Sequence, residues 1–216
     1  MRRVCFCSII VFCAFAAISR AGLQESDSSN FSFPLSPGNQ TIALSQFDTQ
    51  GGARVLNWVK ITLVANIQAN ITGENDSTIA GNMQLSLTGL VDADAPTISA
   101  GAGISENSAM VSVSATDGVA DSGPDFHNFG TFGGSDTDNA VELSSFSAYI
   151  GTGTFNVNIV GSGGFALSGV TDSTLKISNF GTNGTVTVLY DYDVVPEPAT
   201  LALLALGGLP VLLRKR

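Results

Sequence analysis

The sequence predicts an all-β protein, an antiparallel β-sandwich framed by an N-terminal signal peptide and a short C-terminal hydrophobic helix. Three observations predict it. Apolar residues fall on every second position over long stretches, which is the period of a half-buried strand. Glycine, present 24 times, interrupts those stretches and suits the turns between them. No stretch between the two ends keeps a helical period. Many short strands joined by Gly-rich turns argue for a sandwich of jelly-roll or immunoglobulin-like type, with about eight to ten strands by spacing.

The strongest segment holds Val59, Ile61, Leu63, Ala65, Ile67, Ala69 and Ile71 at alternate positions, with Lys60, Thr62, Asn66, Gln68 and Asn70 among the residues between them. The cluster Gly73–Ser77 then reads as a turn. Ile79, Gly81, Met83, Leu85 and Leu87 resume the alternation, so the two segments are expected to form one long antiparallel hairpin with a buried face. Weaker strands are expected at Thr41–Phe47, Ala109–Ala115, Val141–Ile150, Phe155–Ile159, Leu175–Ile177 and Val186–Tyr192. Residues 22–38 are polar and close with Pro34 and Pro37. They read as a flexible arm, leaving 39–194 as the sandwich domain.

The N-terminus, residues 1–21, has the layout of an export signal. Arg2 and Arg3 precede an apolar run from Val4 to Ile18, and Ser19 and Ala21 are small residues fit for cleavage after Ala21. Cleavage near Ala16 is the alternative. The twin-arginine route lacks its flanking pattern, so the Sec pathway is expected. All three cysteines (Cys5, Cys7, Cys13) fall in this segment. The exported part therefore has no disulfide and no thiol chemistry.

Between Gly22 and Val195, 17 acidic residues face three basic ones, Arg54, Lys60 and Lys176. This balance excludes nucleic acid as a partner, because neutralising phosphates needs basic side chains. Cations and neutral glycans stay open as partners, and solubility alone also accounts for the charge. Asp117, Asp121 and Asp125 share one loop, with Asp136 and Asp138 close behind. Such carboxylates suit a structural calcium ion, which takes six to eight hard oxygen ligands. Ordinary turn chemistry is the competing reading. No other cofactor is expected. Trp58, with Tyr149, Tyr190 and Tyr192, could stack against sugar rings, or these aromatics could fill the core. The single histidine, His127, sits in Asp125-Phe126-His127-Asn128 within a loop-like stretch 118–139. No nucleophile elbow accompanies it, and a non-enzymatic role is expected.

The tail, residues 195–216, has three parts. Pro196-Glu197-Pro198 fixes an extended backbone. Ala199–Leu213 is apolar but short for a comfortable span and contains Gly207, Gly208 and Pro210. Arg214, Lys215 and Arg216 close the chain and favour the cytoplasmic side. A plain membrane anchor is one reading. In this order the three parts resemble a PEP-CTERM sorting signal. The resemblance implies a Gram-negative bacterium and transient insertion in the inner membrane. It also implies recognition and tail removal by an exosortase, an integral-membrane enzyme. Delivery to the cell surface or the extracellular matrix would follow, in association with exopolysaccharide and biofilm. A second resemblance rests on Leu44-Ser45-Gln46-Phe47-Asp48, Gly51-Gly52, Gly151-Thr152-Gly153-Thr154 and the late Tyr190-Asp191-Tyr192 strand. These are similar to the choice-of-anchor E family, although Ser45 stands where that family has proline. The family brings no activity to carry over. The expected function is structural or adhesive, in contact with exopolysaccharide. The alternative is a secreted glycan-binding module, and a polysaccharide-acting enzyme ranks last.

Overall fold

The computed structural model describes residues 22–195, and the signal peptide and the C-terminal hydrophobic helix expected above lie outside them. Those residues form an antiparallel β-sandwich. Its strands are β1 (Leu23–Pro34), β2 (Gly38–Ser45), β3 (Arg54–Asn75), β4 (Gly81–Asp94), β5 (Ser99–Asn107), β6 (Val111–Val113), β7 (Phe126–Glu142), β8 (Thr154–Ser168) and β9 (Ser173–Val194). A 3-10 turn at Gln50–Gly52 precedes β3. One sheet runs β1-β9-β3-β7. The other runs β2-β8-β4-β5, with β6 paired to β4.

The alternation along β3 does what its period requires. Val59, Ile61, Leu63, Ala65 and Ile67 are wholly buried, and they meet the inward rows of the other sheet, including Leu87, Val91, Val157 and Ile159. The expected hairpin does not form, however. β3 pairs with β7 and β9, whereas β4 lies in the opposite sheet between β8 and β5. Periodicity specifies which face a strand buries and leaves its hydrogen-bonded partner open. In a sandwich both segments bury one face, so the same pattern serves two sheets.

Residues 22–38 also differ from expectation. β1 pairs with β9 from Leu23↔Tyr192 to Pro34↔Gly181, so most of the supposed arm is an edge strand. Its polar look reflects its position: along β1 Phe31 and Phe33 reach the core, joined by Leu35 just past its end. The stretch 118–139 is likewise largely strand, since β7 begins at Phe126. The strand expected at Val141–Ile150 stops at Glu142. The two late segments, Leu175–Ile177 and Val186–Tyr192, are one strand of 22 residues.

Irregularities in β3 set which side chains face inward. A register shift between Leu56 and Trp58 changes the phase of the alternation. Arg54 and Leu56 point inward before it, and Val59 and Ile61 after it. Such a bulge leaves one residue unpaired and re-aims its neighbours. Without it, Arg54 would face solvent.

Candidate functional site

The open edges of the two sheets meet along two seams, and side chains close both. On one side, the edge strands β5 and β7 lie together. The Gly101 N–H donates to Asp138 Oδ2 (2.8 Å) and the Gly103 N–H to Asp136 Oδ2 (2.9 Å). On the other side, between β1 and β2, the Ser45 N–H donates to Asp27 Oδ2 (2.8 Å) and the Ser32 N–H to Gln40 Oε1 (2.9 Å). Edge strands present unpaired amides that invite association, and here inward carboxylates and an amide satisfy them. Asp136 and Asp138 are therefore committed to β5 and separate from the loop aspartates with which they were grouped as calcium ligands.

Arg54 organises the end of the sandwich from which the chain leaves. It is 8% exposed. Its guanidinium lies 4.3 Å from the ring centroid of Phe47 and 4.0 Å from that of Tyr192. It also pairs with Glu25 on β1. Just beyond β9, the Val195 N–H donates to Ala53 O (2.8 Å). The backbone that leads to Pro196 is thus tied to the residue before Arg54. Pro196, Glu197, Pro198 and the basic residues Arg214, Lys215 and Arg216 lie outside the described residues.

The proposed sugar-stacking aromatics do not share a surface. Tyr149 and Tyr190 are buried. The Tyr149 hydroxyl accepts from the Thr97 N–H at 3.2 Å, and the Tyr190 hydroxyl donates to Ser45 O at 2.6 Å. Burial is the first cause that pushes the Tyr190 hydroxyl well above its usual range, followed by Asp27, Tyr149 and Glu25. Tyr192 packs on the core and against Phe47 at 5.1 Å. Only Trp58 faces outward, half-buried on the β3 side that carries Lys60, Thr62 and Asn66. On β9, Tyr190 and Tyr192 stand two apart and so share the inward row, with Asp191 between them facing out.

The outer face of the β1-β9-β3-β7 sheet is almost free of charge. Across it run rows such as Asn139–Thr62–Thr187–Ser28 and Ser135–Asn66–Asn183–Ser32. Lys60, flanked by Val141 and Leu189, and Val64 interrupt these rows; Asp191, which accepts from Asn57 Nδ2 at 3.0 Å, lies at one end and Lys176 at the other. Near the other end, register shifts on both sides of β3, at Ile71/Thr72 and Gln68/Asn70, open a shallow cleft of about 510 Å³. Asn70, Thr72, Asn128, Thr131, Lys176 and Ser178 line it. His127 is on β7 with its ring edge-on to Phe129, 4.7 Å between centroids.

The loop between β6 and β7 gathers the remaining acidic candidates. The Asp117 N–H donates to Asp125 Oδ2 (2.8 Å), and Asp121 pairs with Lys176 (2.6 Å). Glu74, not singled out from the sequence, is buried beside them and accepts from the Asp121 N–H at 3.0 Å. Its place at the end of the β3 alternation was the only signal. Among the described residues, no three His, Cys, Asp or Glu side chains converge on one point as a metal cage. Among the same residues, no helix is long and apolar enough to cross a membrane.

Residues 194–216 match the PEP-CTERM protein-sorting motif. That match marks an exported protein carrying a signal for exosortase sorting to the cell surface. No curated protein matches the chain. Among solved structures, the chain is similar to the structure of infectious bursal disease virus Gt strain, at 12% identity, covering 90% of this chain and 48% of that one with a TM-score of 0.21. For the Gx strain the figures are 13%, 91%, 50% and 0.19. The chain spans about half the length of those viral chains. At such TM-scores the likeness carries no argument.

Proposed function

We propose that this protein is a non-enzymatic component of the cell surface or extracellular matrix, holding exopolysaccharide against the outer face of its β1-β9-β3-β7 sheet. The observation that carries this reading is the distribution of charge. A domain with 17 acidic residues against three basic ones keeps carboxylates off the middle of this face, where rows of Asn, Ser and Thr alternate with rows that hold Val64 and Val141 and the single charge of Lys60. Amide and hydroxyl groups exchange hydrogen bonds with sugar hydroxyls as readily as with water. A face without strong charge imposes no ionic requirement on a neutral polymer. Choice-of-anchor E membership, export by the Sec route, transient residence in the inner membrane and exosortase removal of the tail belong to the same proposal.

Co-sedimentation of the protein with exopolysaccharide from its host tests it. Binding should persist from 0.15 M to 1 M NaCl, since screening weakens only ionic contacts. It should fall at least tenfold in Thr62→Glu with Thr187→Glu, which place charges on the middle of the face. Absence of binding in the unaltered protein would refute the proposal.

A second reading, a discrete glycan-binding module, has one observation in its favour: Trp58 is the aromatic left on that face beside the β3 bulge. It predicts saturable binding to isolated polysaccharide that is lost in Trp58→Ala with the fold intact. A flat titration would refute it.

A further inference from the structure

We propose that the loop between β6 and β7 binds a calcium ion between the carboxylates of Asp117 and Asp125. Asp125 is completely buried. Its Oδ2 accepts from the Asp117 N–H, while its Oδ1 has no hydrogen-bond partner in the protein. A buried carboxylate oxygen is stable when it is hydrogen-bonded, paired or coordinated to a metal. Asp117 is arranged to match. Its Oδ1 accepts from the Val119 N–H (2.8 Å), and its Oδ2 is turned toward the same space as Asp125 Oδ1. A Cβ on Gly123 would collide with Asp117 Oδ2 and come within 2.9 Å of Asp125 Oδ1. Gly123 has a φ of 90°, which side chains disfavour as well. Glycine is thus required there twice over, and the space it leaves is faced by two anionic oxygens.

The charge around this space is unbalanced. Glu74, 6% exposed, and Asp125 are buried, with Asp117 and Asp121 beside them. Lys176 is the cation within reach, and it grips both oxygens of Asp121 at 2.6 Å. Asp117 and Asp125 keep no positive partner among the described residues. A calcium ion would balance these two carboxylates. It takes hard oxygen ligands at about 2.3–2.6 Å, so two ligands of one ion sit at most about 5 Å apart. It also accepts main-chain carbonyls and water for the rest of its sphere. With two carboxylates in place of a full cage, the affinity belongs with extracellular calcium modules, at a Kd of about 10⁻⁴–10⁻³ M. The site ties β6 to the start of β7, where the Ser114 N–H already donates to Pro124 O and the Asn75 N–H to Asp125 O.

The test titrates calcium chloride into the full chain, purified in detergent, by calorimetry, with melting followed by circular dichroism. One-to-one binding in that range and a rise in Tm of about 3–8 °C at 10 mM calcium are expected. Sodium chloride at equal ionic strength should give no such rise. Asp117→Asn should weaken binding at least tenfold while the protein still folds. Asp125→Asn should abolish it, and if that variant fails to fold, Asp117→Asn decides. Absence of heat and of a Tm shift, an equal effect of sodium chloride, or wild-type affinity in Asp117→Asn would each overturn the proposal.

Discussion

Replacing Arg54 with alanine tests the reasoning about the exit end of the sandwich. The guanidinium lies over the tilted pair formed by Phe47 and Tyr192, with centroid distances of 4.3 and 4.0 Å. A cation–π contact contributes about 0.5–1 kcal/mol when exposed and about 2 when desolvated. Arg54 is 8% exposed but shares its charge with Glu25 and two adjoining rings, so each contact is taken between these figures, at about 1–1.5 kcal/mol. Its partner Glu25 has a side chain 48% exposed. That ion pair contributes at most about 1 kcal/mol, because water screens it and re-solvates Glu25 once it is alone. Against these gains stands Arg54 Nε, buried without a hydrogen-bond partner, at a penalty of about 1 kcal/mol. The balance is a loss of about 2–3 kcal/mol in Arg54→Ala, or roughly 5–10 °C in Tm for a domain of this size. Urea unfolding can be followed by fluorescence of Trp58, the single tryptophan. Glu25→Gln should lose about 1 kcal/mol or less. Arg54→Lys should recover less than half of the loss, because a compact, strongly hydrated ammonium does not stack on the ring faces as a planar guanidinium does. Full recovery with lysine, or a loss below about 0.5 kcal/mol with alanine, would refute the account.

Two further outcomes follow from the same geometry. At the β5–β7 seam, Asp136→Ala with Asp138→Ala frees the Gly101 and Gly103 amides. A loss of about 0.5–1.5 kcal/mol per bond is expected, with concentration-dependent association through the bared edge, visible by analytical ultracentrifugation. A monomer of unchanged stability would contradict it. In acid, Glu142 is held at about 2 by hydrogen bonds from, in order, the Ser145 N–H, the Thr97 hydroxyl and the Ser144 and Leu143 N–H groups. Asp27 is lowered too, first by the Ser45 N–H and then by the Ser45 hydroxyl and the Ser28 N–H. Both folded values lie below the unfolded ones, so their stabilisation is present above the ordinary carboxylate values of 4.5 and 3.8. It is lost as pH falls through the folded values, toward about 2 for Glu142. Asp92 opposes this weakly, being raised by burial and then by Asp94. A carboxyl NMR titration should place Glu142 near 2; a midpoint at its ordinary value would contradict the turn that holds it.

The sequence shows best the parts of this molecule where burial is one-sided and continuous. Val59 to Ile71 announces a strand because every second side chain enters the core. The same residues could not announce β9 and β7 as partners, since those strands lie far along the chain. Connections here mostly cross between sheets; among the described strands β4–β5 is the consecutive pair that forms a hydrogen-bonded hairpin, and β1–β2 meet as a seam. β1 and β7 were obscured for a different reason. They are edge strands whose inward positions include Asp27, Asp136 and Asp138, and those residues satisfy the facing edge instead of filling the core. Polar inward residues erase the alternation that reveals a strand. The loop aspartates were visible as a group, but sorting Asp117 and Asp125 from Asp136 and Asp138 required the fold. The tail was legible because its three parts act in linear order, and Pro196 follows directly on a strand end fixed at Val195.

The central claim, an exported sandwich released from its own sorting signal, is tested most directly by intact mass and cell fraction of the protein in its native host. The account predicts a chain that begins near Gly22, ends near Pro196-Glu197-Pro198 and is found outside the inner membrane. A mass that still includes Arg216, recovered in the inner membrane, would contradict it and leave the tail as a plain anchor.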